Sequence, residues 1–241
     1  TQRTQEKAEE VIEREGGGDY LLFAVDPDFN LGIVGLAAAK LVEKHYRPAI
    51  AGRQDDLLIR ASCRSIPEFH ITRALDECTD LFEHHGGHDM AAGFTIRSDR
   101  LDELKIRLTD IARRELATQD LCPTLRVDME IDLSKKRIYI MDYLDRLEPY
   151  GMGNPEALFK ARNLEVMSCW QVGKDKRHLK LKLRSGMIVY DAIAFRQGHW
   201  FDKGIRLVDI IFSFERNFYR DQEMLQLNIR DIRPSNFEGI A

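Results

Sequence analysis

The sequence predicts an α/β domain in its first half and an all-β domain, a small barrel, in its second. Three observations carry this. Up to about residue 120 short apolar runs alternate with stretches of helical period, the mark of a sheet covered by helices. The texture changes near Cys122-Pro123. From Leu158 onward nearly every segment has the two-residue period of a strand. At 241 residues the chain is long enough for both domains to bury a core.

The elements follow in order. Thr1 to Glu15 reads as a polar helix with Ala8, Val11 and Ile12 as its apolar stripe. So thin a stripe is expected to lean on something outside this chain. Gly16-Gly17-Gly18 ends it. Tyr20 to Val25 is a strand, followed by a turn at Asp26-Pro27-Asp28. Ile33 to His45 is a buried helix, and Pro48 to Gly52 and Leu57 to Ala61 are short strands. Glu68 to Glu83 carries Phe69, Ala74, Leu75, Cys78, Leu81 and Phe82 at helical spacing, so a helix is expected there, stopped by Gly86 and Gly87. Ala92 to Ile96 is a strand. A helix follows with Leu101, Leu104, Leu108 and Ile111 on one face and Ser98 or Asp99 as its cap.

In the second half, Leu125, Val127, Met129 and Ile131 alternate with charged residues, which predicts a half-buried strand. A helix is expected around Tyr139 to Leu147 and a loop at Gly151, Gly153 and Pro155. Leu179, Leu181 and Leu183 alternate with Lys180, Lys182 and Arg184. Ile188 to Phe195, Leu207 to Phe214 and Leu225 to Ile232 follow, separated by turns such as Arg220-Asp221-Gln222. About five strands in this length predict the barrel.

Composition narrows the function. The chain is 44% hydrophobic and 32% charged, as a soluble globular protein is, and no apolar run approaches the roughly 20 residues a bilayer span needs. The charged first residues are no signal peptide, and a chain beginning at Thr1 reads as cut from a longer protein. A net charge of −4 argues against a uniformly basic nucleic-acid binder but leaves room for a local basic face. Cys63, Cys78, Cys122 and Cys169 form no C-x-x-C pair, which points to reduced thiols in a cytoplasm and to no zinc site.

Three clusters carry chemistry. Gly86-Gly87-His88-Asp89-Met90-Ala91-Ala92-Gly93 combines glycines, which admit close approach of a ligand, with a histidine able to donate to phosphate or carry a proton. A helix cap followed by a turn is the plain alternative. The small residues after His88 tip the balance toward close packing or ligand approach. Ser62-Cys63-Arg64-Ser65 lies where a strand is expected to end. Its two hydroxyls and guanidinium can satisfy several phosphate oxygens, although alone it reads more readily as a polar strand end. Gly173 to Arg184 holds Lys174, Lys176, Arg177, Lys180, Lys182 and Arg184 against Asp175, a local charge of +5. On a strand, Lys180, Lys182 and Arg184 share a face that can track a phosphodiester backbone, or simply a solvated face. Phe195, Trp200, Phe218 and Tyr219 are candidate stacking rings, although most of them read more readily as core. His84-His85 reads as the end of a helix rather than a metal site, and Asp26 and Asp28 as turn residues. No metal ligands, Walker loop, nucleophile elbow or zinc signature are found.

The stretch from Ala61 to Phe69 followed by the Gly-Gly-His segment resembles the DHHA1 accessory domain of the DHH phosphoesterase superfamily. Asn30-Leu31-Gly32-Ile33-Val34-Gly35-Leu36-Ala37-Ala38 is similar to the glycine-bearing helix start of that domain. Glu148-Pro149-Tyr150-Gly151-Met152-Gly153-Asn154-Pro155 and Val172 to Leu183 resemble the OB-fold segment of the RecJ-type single-strand exonucleases. The resemblance implies a linker helix at 1–18, a DHHA1 domain at 19–122 and an OB-fold nucleic-acid-binding domain at 123–241.

It implies the C-terminal part of a 5′-3′ exonuclease specific for single-stranded DNA, acting in DNA repair and recombination in the cytoplasm. His88 would be its catalytic residue here, with Ser62, Arg64, Ser65, Gly86 and Gly87 holding substrate phosphate. The parent's Mn2+ or Mg2+ would sit in a separate N-terminal DHH domain. The Asp-His-His triplet of that domain does not occur in this sequence, which is expected to carry no cofactor and to be inactive alone. Implied partners are single-stranded DNA, the DHH domain and a single-strand-binding protein, and no membrane. Such sequences commonly have histidine where Asn30 stands; asparagine keeps a donor but cannot titrate. Two rival readings remain. One is a phosphodiesterase of the same superfamily acting on nanoRNA or cyclic dinucleotides, against which residues 125 to 241 argue. The other is a non-catalytic module that binds single strands or a partner protein.

Overall fold

The structure, a computed structural model, describes residues 2–14, 17–135, 139–151, 153–219 and 222–235. It divides into two compact units, Thr1–Thr124 and Leu125–Ala241.

The first unit is a five-stranded mixed sheet with helices on both faces. Its elements are α1 (Gln2–Arg14), β1 (Leu22–Asp26), α2 (Val34–His45), β2 (Ala49–Gln54), β3 (Leu58–Arg64), α3 (Ile71–Asp76), β4 (Phe82–Gly87), β5 (Ala91–Arg97) and α4 (Leu101–Leu116). The sheet order is β1-β2-β3-β5-β4. β1 and β2 are parallel and joined through α2, as a crossover requires, while the remaining pairs are antiparallel. One face packs Phe23, Ile50, Ile59, Cys63, Phe94 and Ile96 against α3 and α4. The other packs Leu22, Ala24, Ala49 and Ala51 against α1 and α2.

Four sequence expectations are corrected here. The stripe of α1 needs no outside partner, because Ala8, Val11 and Ile12 are buried against β1 and α2. The helix expected over 68–83 is a single short helix, α3, followed by a 3₁₀ turn at Thr79–Leu81. From Phe82 the chain extends and pairs with β5, so His84, His85, Gly86 and Gly87 lie in a strand and not at a helix end. Pairing and the Phe82–Phe94 ring contact, centroids 5.1 Å apart, outweigh the poor strand propensity of glycine. β3 runs on through Arg64, past the expected end at Ala61. At the start of α4 neither Ser98 nor Asp99 caps. Ser98 Oγ donates to the Asp55 carbonyl at 3.2 Å and Asp99 holds Arg97 at 2.8 Å, so a 3₁₀ turn leads into the helix instead.

The second unit is a closed barrel. Its elements are β6 (Met129–Glu130), α5 (Ile140–Leu144), β7 (Phe159–Val172), β8 (His178–Ser185), β9 (Ile188–Ala194), β10 (Leu207–Tyr219) and β11 (Gln222–Pro234). The strands run β10-β11-β9-β8-β7, and β7 also pairs with β10 to close the ring. β9 and β11 are parallel. Bulges at Val166/Ser168 and Ile211/Phe212 bend the long strands, so that β7 serves β10 with its first half and β8 with its second. Leu179, Leu181, Leu183, Phe212 and Phe214 fill the interior. The alternating segment expected from Leu125 is a strand only at Met129–Glu130, and Leu125 and Met129 are exposed. It lies beside Phe159 and Lys160, which already pair with β10 on their other side, and from Glu165 β7 is occupied by β8. The turn expected at Arg220-Asp221-Gln222 falls on 220 and 221, outside the described residues.

Candidate nucleic-acid interface

Directly opposed residues in a sheet project to the same side. The pairing of the first unit therefore lays out rows across the face that α2 covers. One row is Ala24, Ala51, Ser62, Gly93 and Gly86. The next, toward His88, is Leu22, Ala49, Arg64 and Ala91. α1 and α2 bury only the β1 and β2 ends of these rows. Beyond them Ser62, Arg64, Ala91 and Gly93 are half-buried and Gly86 is exposed. Two glycines thus form a floor without side chains next to a hydroxyl and a guanidinium.

The first turn of α2 borders this floor. A Cβ placed on Gly35 would lie 3.0 Å from Arg64 Nη2 and 3.6 Å from Ser62 Oγ. Arg64 Nη1 donates to the Cys63 carbonyl at 2.8 Å, and no carboxylate pairs with Arg64 among the described residues. The guanidinium is oriented but not neutralised, a state suited to an anion. Cys63 points to the other face, where burial pushes its thiol up to about 12 despite the neighbouring Arg64, so it is no nucleophile at neutral pH. Asn30 Oδ1 accepts from the Gly32 N–H at 2.8 Å and forms the turn that opens α2.

His88 heads the β4–β5 turn. Its N–H donates to the Ala91 carbonyl at 2.7 Å, its carbonyl accepts from Thr72 Oγ1, and its side chain is exposed. The Ser65 N–H donates to the Met90 carbonyl at 3.0 Å and the Ile71 N–H to the Asp89 carbonyl at 3.1 Å, which pin the turn to the unit. Ser65 does not join the polar floor. It is 4% exposed and its hydroxyl donates to the Phe69 carbonyl at 2.6 Å, which corrects its expected role as a phosphate ligand. His85 Nε2 sits 2.9 Å from Asp76 Oδ1, while His84 stays on the open face. Asp26 and Asp28 hold Lys7 at 2.7 and 2.6 Å. Burial alone would raise the Asp26 carboxyl, but the Lys7 ammonium and the Asp28 N–H hold it below the usual range.

In the second unit, Lys180 and Lys182 lie outward on β8, between buried Leu179, Leu181 and Leu183. Part of the expected basic strip is internally compensated: Arg177 pairs with Asp175 at 2.7 Å, Lys182 with Asp191 at 3.8 Å, and Arg184 with Glu165. Lys174, Lys176 and Lys180 have no such partner among the described residues. Opposite Lys180 stands Trp170 of β7, which the sequence reading missed. The bulge at Val166/Ser168 shifts the strand's parity, so alternation alone does not reveal its outward face. Phe195 is 51% exposed and meets the His178 ring edge-on at 5.4 Å. Trp200 packs against the barrel core, and the side chains of Phe218 and Tyr219 lie outside the described residues.

Comparison with known proteins decides the family. Residues 17–114 match the DHHA1 domain and residues 127–231 the RecJ OB domain. The chain belongs to the RecJ family. It is 29% identical to the single-stranded-DNA-specific exonuclease RecJ of Bacillus subtilis over 97% of its own length and 30% of that protein's. It is 30% identical to the RecJ of Dickeya dadantii over 86% of its length and 37% of the relative's. RecJ of Thermus thermophilus, solved with Mn2+, superposes with a TM-score of 0.74 at 25% identity over 99% of this chain and 36% of that one. A second structure of it, with Mg2+, gives the same TM-score at 24% identity over 96% and 36%, a likeness of fold. The chain thus spans about a third of the length of these RecJ relatives. Among the described residues no three His, Cys, Asp or Glu side chains cluster as metal ligands, so the donor set of these residues does not fit a RecJ metal centre. No described helix is long and apolar enough to cross a membrane.

Proposed function

We propose that this chain is the strand-gripping part of a RecJ-type 5′-3′ exonuclease of DNA repair and recombination. The observation that carries this reading is an unneutralised Arg64 beside Ser62 on a floor of Gly93 and Gly86. Arg64 and Ser62 bind a backbone phosphate, the Gly86-Gly87 backbone lets the strand approach closely, and His88 contacts the phosphate to be cleaved. The barrel holds the remaining strand through Lys174, Lys176 and Lys180, with Trp170 and Phe195 as stacking rings and little base preference. Arg177, Lys182 and Arg184 add weaker, partly compensated charge. Hydrolysis uses Mn2+ or Mg2+ held by a DHH domain of the longer protein, the partner this reading requires. A cytoplasmic site of action and a single-strand-binding protein as supplier of substrate belong to the same reading.

The test is binding of oligothymidylate to the 241-residue chain at low salt. Arg64→Ala is expected to weaken binding about tenfold, the loss of one charge-assisted contact. Equal affinity of parent and variant sinks the reading. Gly35→Ala separates stability from binding. Alanine favours the helix by up to about 1 kcal/mol, yet its Cβ crowds Arg64 Nη2 at 3.0 Å. The melting temperature is expected to hold or rise while affinity falls several-fold; unchanged affinity would show that Arg64 needs no fixed position.

A further inference from the structure

The open face carries a third row that the phosphate floor does not use. Asp26, Arg53, Arg60, Thr95 and His84 are opposed in turn across β1, β2, β3, β5 and β4. Within it Arg53 and Arg60 stand directly opposite each other on adjacent strands. Like charges in that relation destabilise a sheet unless an anion lies between or above them. The row supplies little of its own. Asp26 is engaged by Lys7 at 2.7 Å, and Asp55 forms an ion pair with Arg53, Oδ1 to Nε 2.9 Å, without hydrogen-bond geometry. Arg60 is exposed and has no acidic partner among the described residues. Thr95 is half-buried and His84 exposed beside it, both able to donate.

Spacing fixes what the anion would be. Arg60 lies two residues from Ser62 and four from Arg64 on β3, on the side away from His88. Two strand residues span about 6.6 Å, close to one nucleotide step of an extended single strand. Arg64 Nη2 and Ser62 Oγ both lie within 3.6 Å of the same point above Gly35 and so serve one phosphate, and the Arg60 row stands one such step along β3 from the Ser62 row.

We propose that Arg60, flanked by Thr95 and His84, is a second backbone-phosphate subsite. It holds the nucleotide adjoining the one gripped by Arg64 and Ser62, and so directs the strand across the sheet away from His88. The inference rests on the single-strand reading above and adds the strand's path.

The test uses the 241-residue chain and short oligothymidylate, with affinity measured by fluorescence anisotropy as a function of salt. Arg60→Ala is expected to weaken binding about fivefold and to flatten the slope of log K against log salt by about 0.7, the signature of one lost phosphate contact on a single strand. Arg60→Lys keeps the slope. Combined with Arg64→Ala, the flattening reaches about 1.4, because two phosphates are involved. Arg113→Ala, on α4 behind the other face, changes neither quantity, and melting curves verify that each variant is folded. A slope for Arg60→Ala equal to the parent's, or a double variant no flatter than Arg64→Ala alone, overturns the second subsite and leaves the proposed function standing. Loss of effect for Arg64→Ala as well overturns both.

Discussion

Replacing Gly87 with alanine is expected to destabilise the first unit by about 3 kcal/mol and lower its melting temperature by about 10 °C. Gly87 has φ 156°, and a Cβ there would fall 2.3 Å from the Ala91 carbonyl oxygen, 2.4 Å from Ala92 Cα and 2.7 Å from Ala92 Cβ. Two of these atoms belong to the backbone of β5, which is locked between β3 and β4, so nothing can swing aside. Gly86 gives the contrast. A Cβ there meets nothing within 4 Å, since it rises from the open floor. Gly86→Ala is expected to melt with the parent and to bind oligothymidylate less well. The two neighbouring glycines thus differ in kind: the closure of the strand pair demands Gly87, whereas Gly86 stands on the open floor where the proposed ligand would approach. Thermal melts of both variants check this, and a Gly87→Ala protein as stable as the parent would refute the packing argument.

Asp209→Ala is expected to cost the barrel about 2–3 kcal/mol at neutral pH. The carboxylate is almost buried in β10 and ties three segments together. It accepts from the Asn163 N–H at 3.0 Å and the Ser235 hydroxyl at 2.8 Å, and lies 3.6 Å from Arg233 Nη2. Asn163 has φ 56°, at the place where the β7–β10 register slips and the ring closes. Burial alone would raise the carboxyl. The Asn163 N–H, the Ser235 hydroxyl and the charges of Arg233 and Arg162 outweigh it and hold it below the usual range. A carboxyl depressed in the folded state stabilises fully above the ordinary range, near pH 4, and loses that contribution as the pH falls through it. The stability gap between parent and Asp209→Ala is therefore constant at neutral pH and narrows below about pH 4. Denaturant titrations at several pH values measure it. A gap that widens in acid would contradict the assignment.

The legible parts of this molecule are those where local chemistry and tertiary demand agree. α2, α4, β3, β5 and the barrel strands follow from apolar period, because each buries one face or stripe, and β1 and β2 follow from short continuous apolar runs, because helices cover them on both faces. β4 was illegible. Its Glu-His-His-Gly-Gly run has no strand period, and only pairing with β5 extends it. Among the residues of the proposed site, Ser62, Arg64, the glycines and His88 stood out in the sequence as polar and small clusters. Ser65 was misread, since nothing in a serine's neighbours announces that its hydroxyl will be spent on the Phe69 carbonyl. Trp170 was hidden by a bulge, and Arg60 by looking like any charged residue on a half-buried strand.

By itself the sequence determined the two-part architecture and the family, and it picked out the cluster proposed to meet a phosphate, because these rest on periodicity and on residue types at fixed spacing. Tertiary structure alone decided which side of the first sheet stays uncovered, and hence which residues share it. α1 and α2 bury the β1 and β2 ends of that face and α2 borders β3 at Ser62 and Arg64, leaving the β5 and β4 end open, while α3 and α4 fill the other face. A polar side chain becomes a candidate ligand only where the fold leaves it uncovered and without a partner, and cross-strand pairing, not proximity in sequence, sets both conditions.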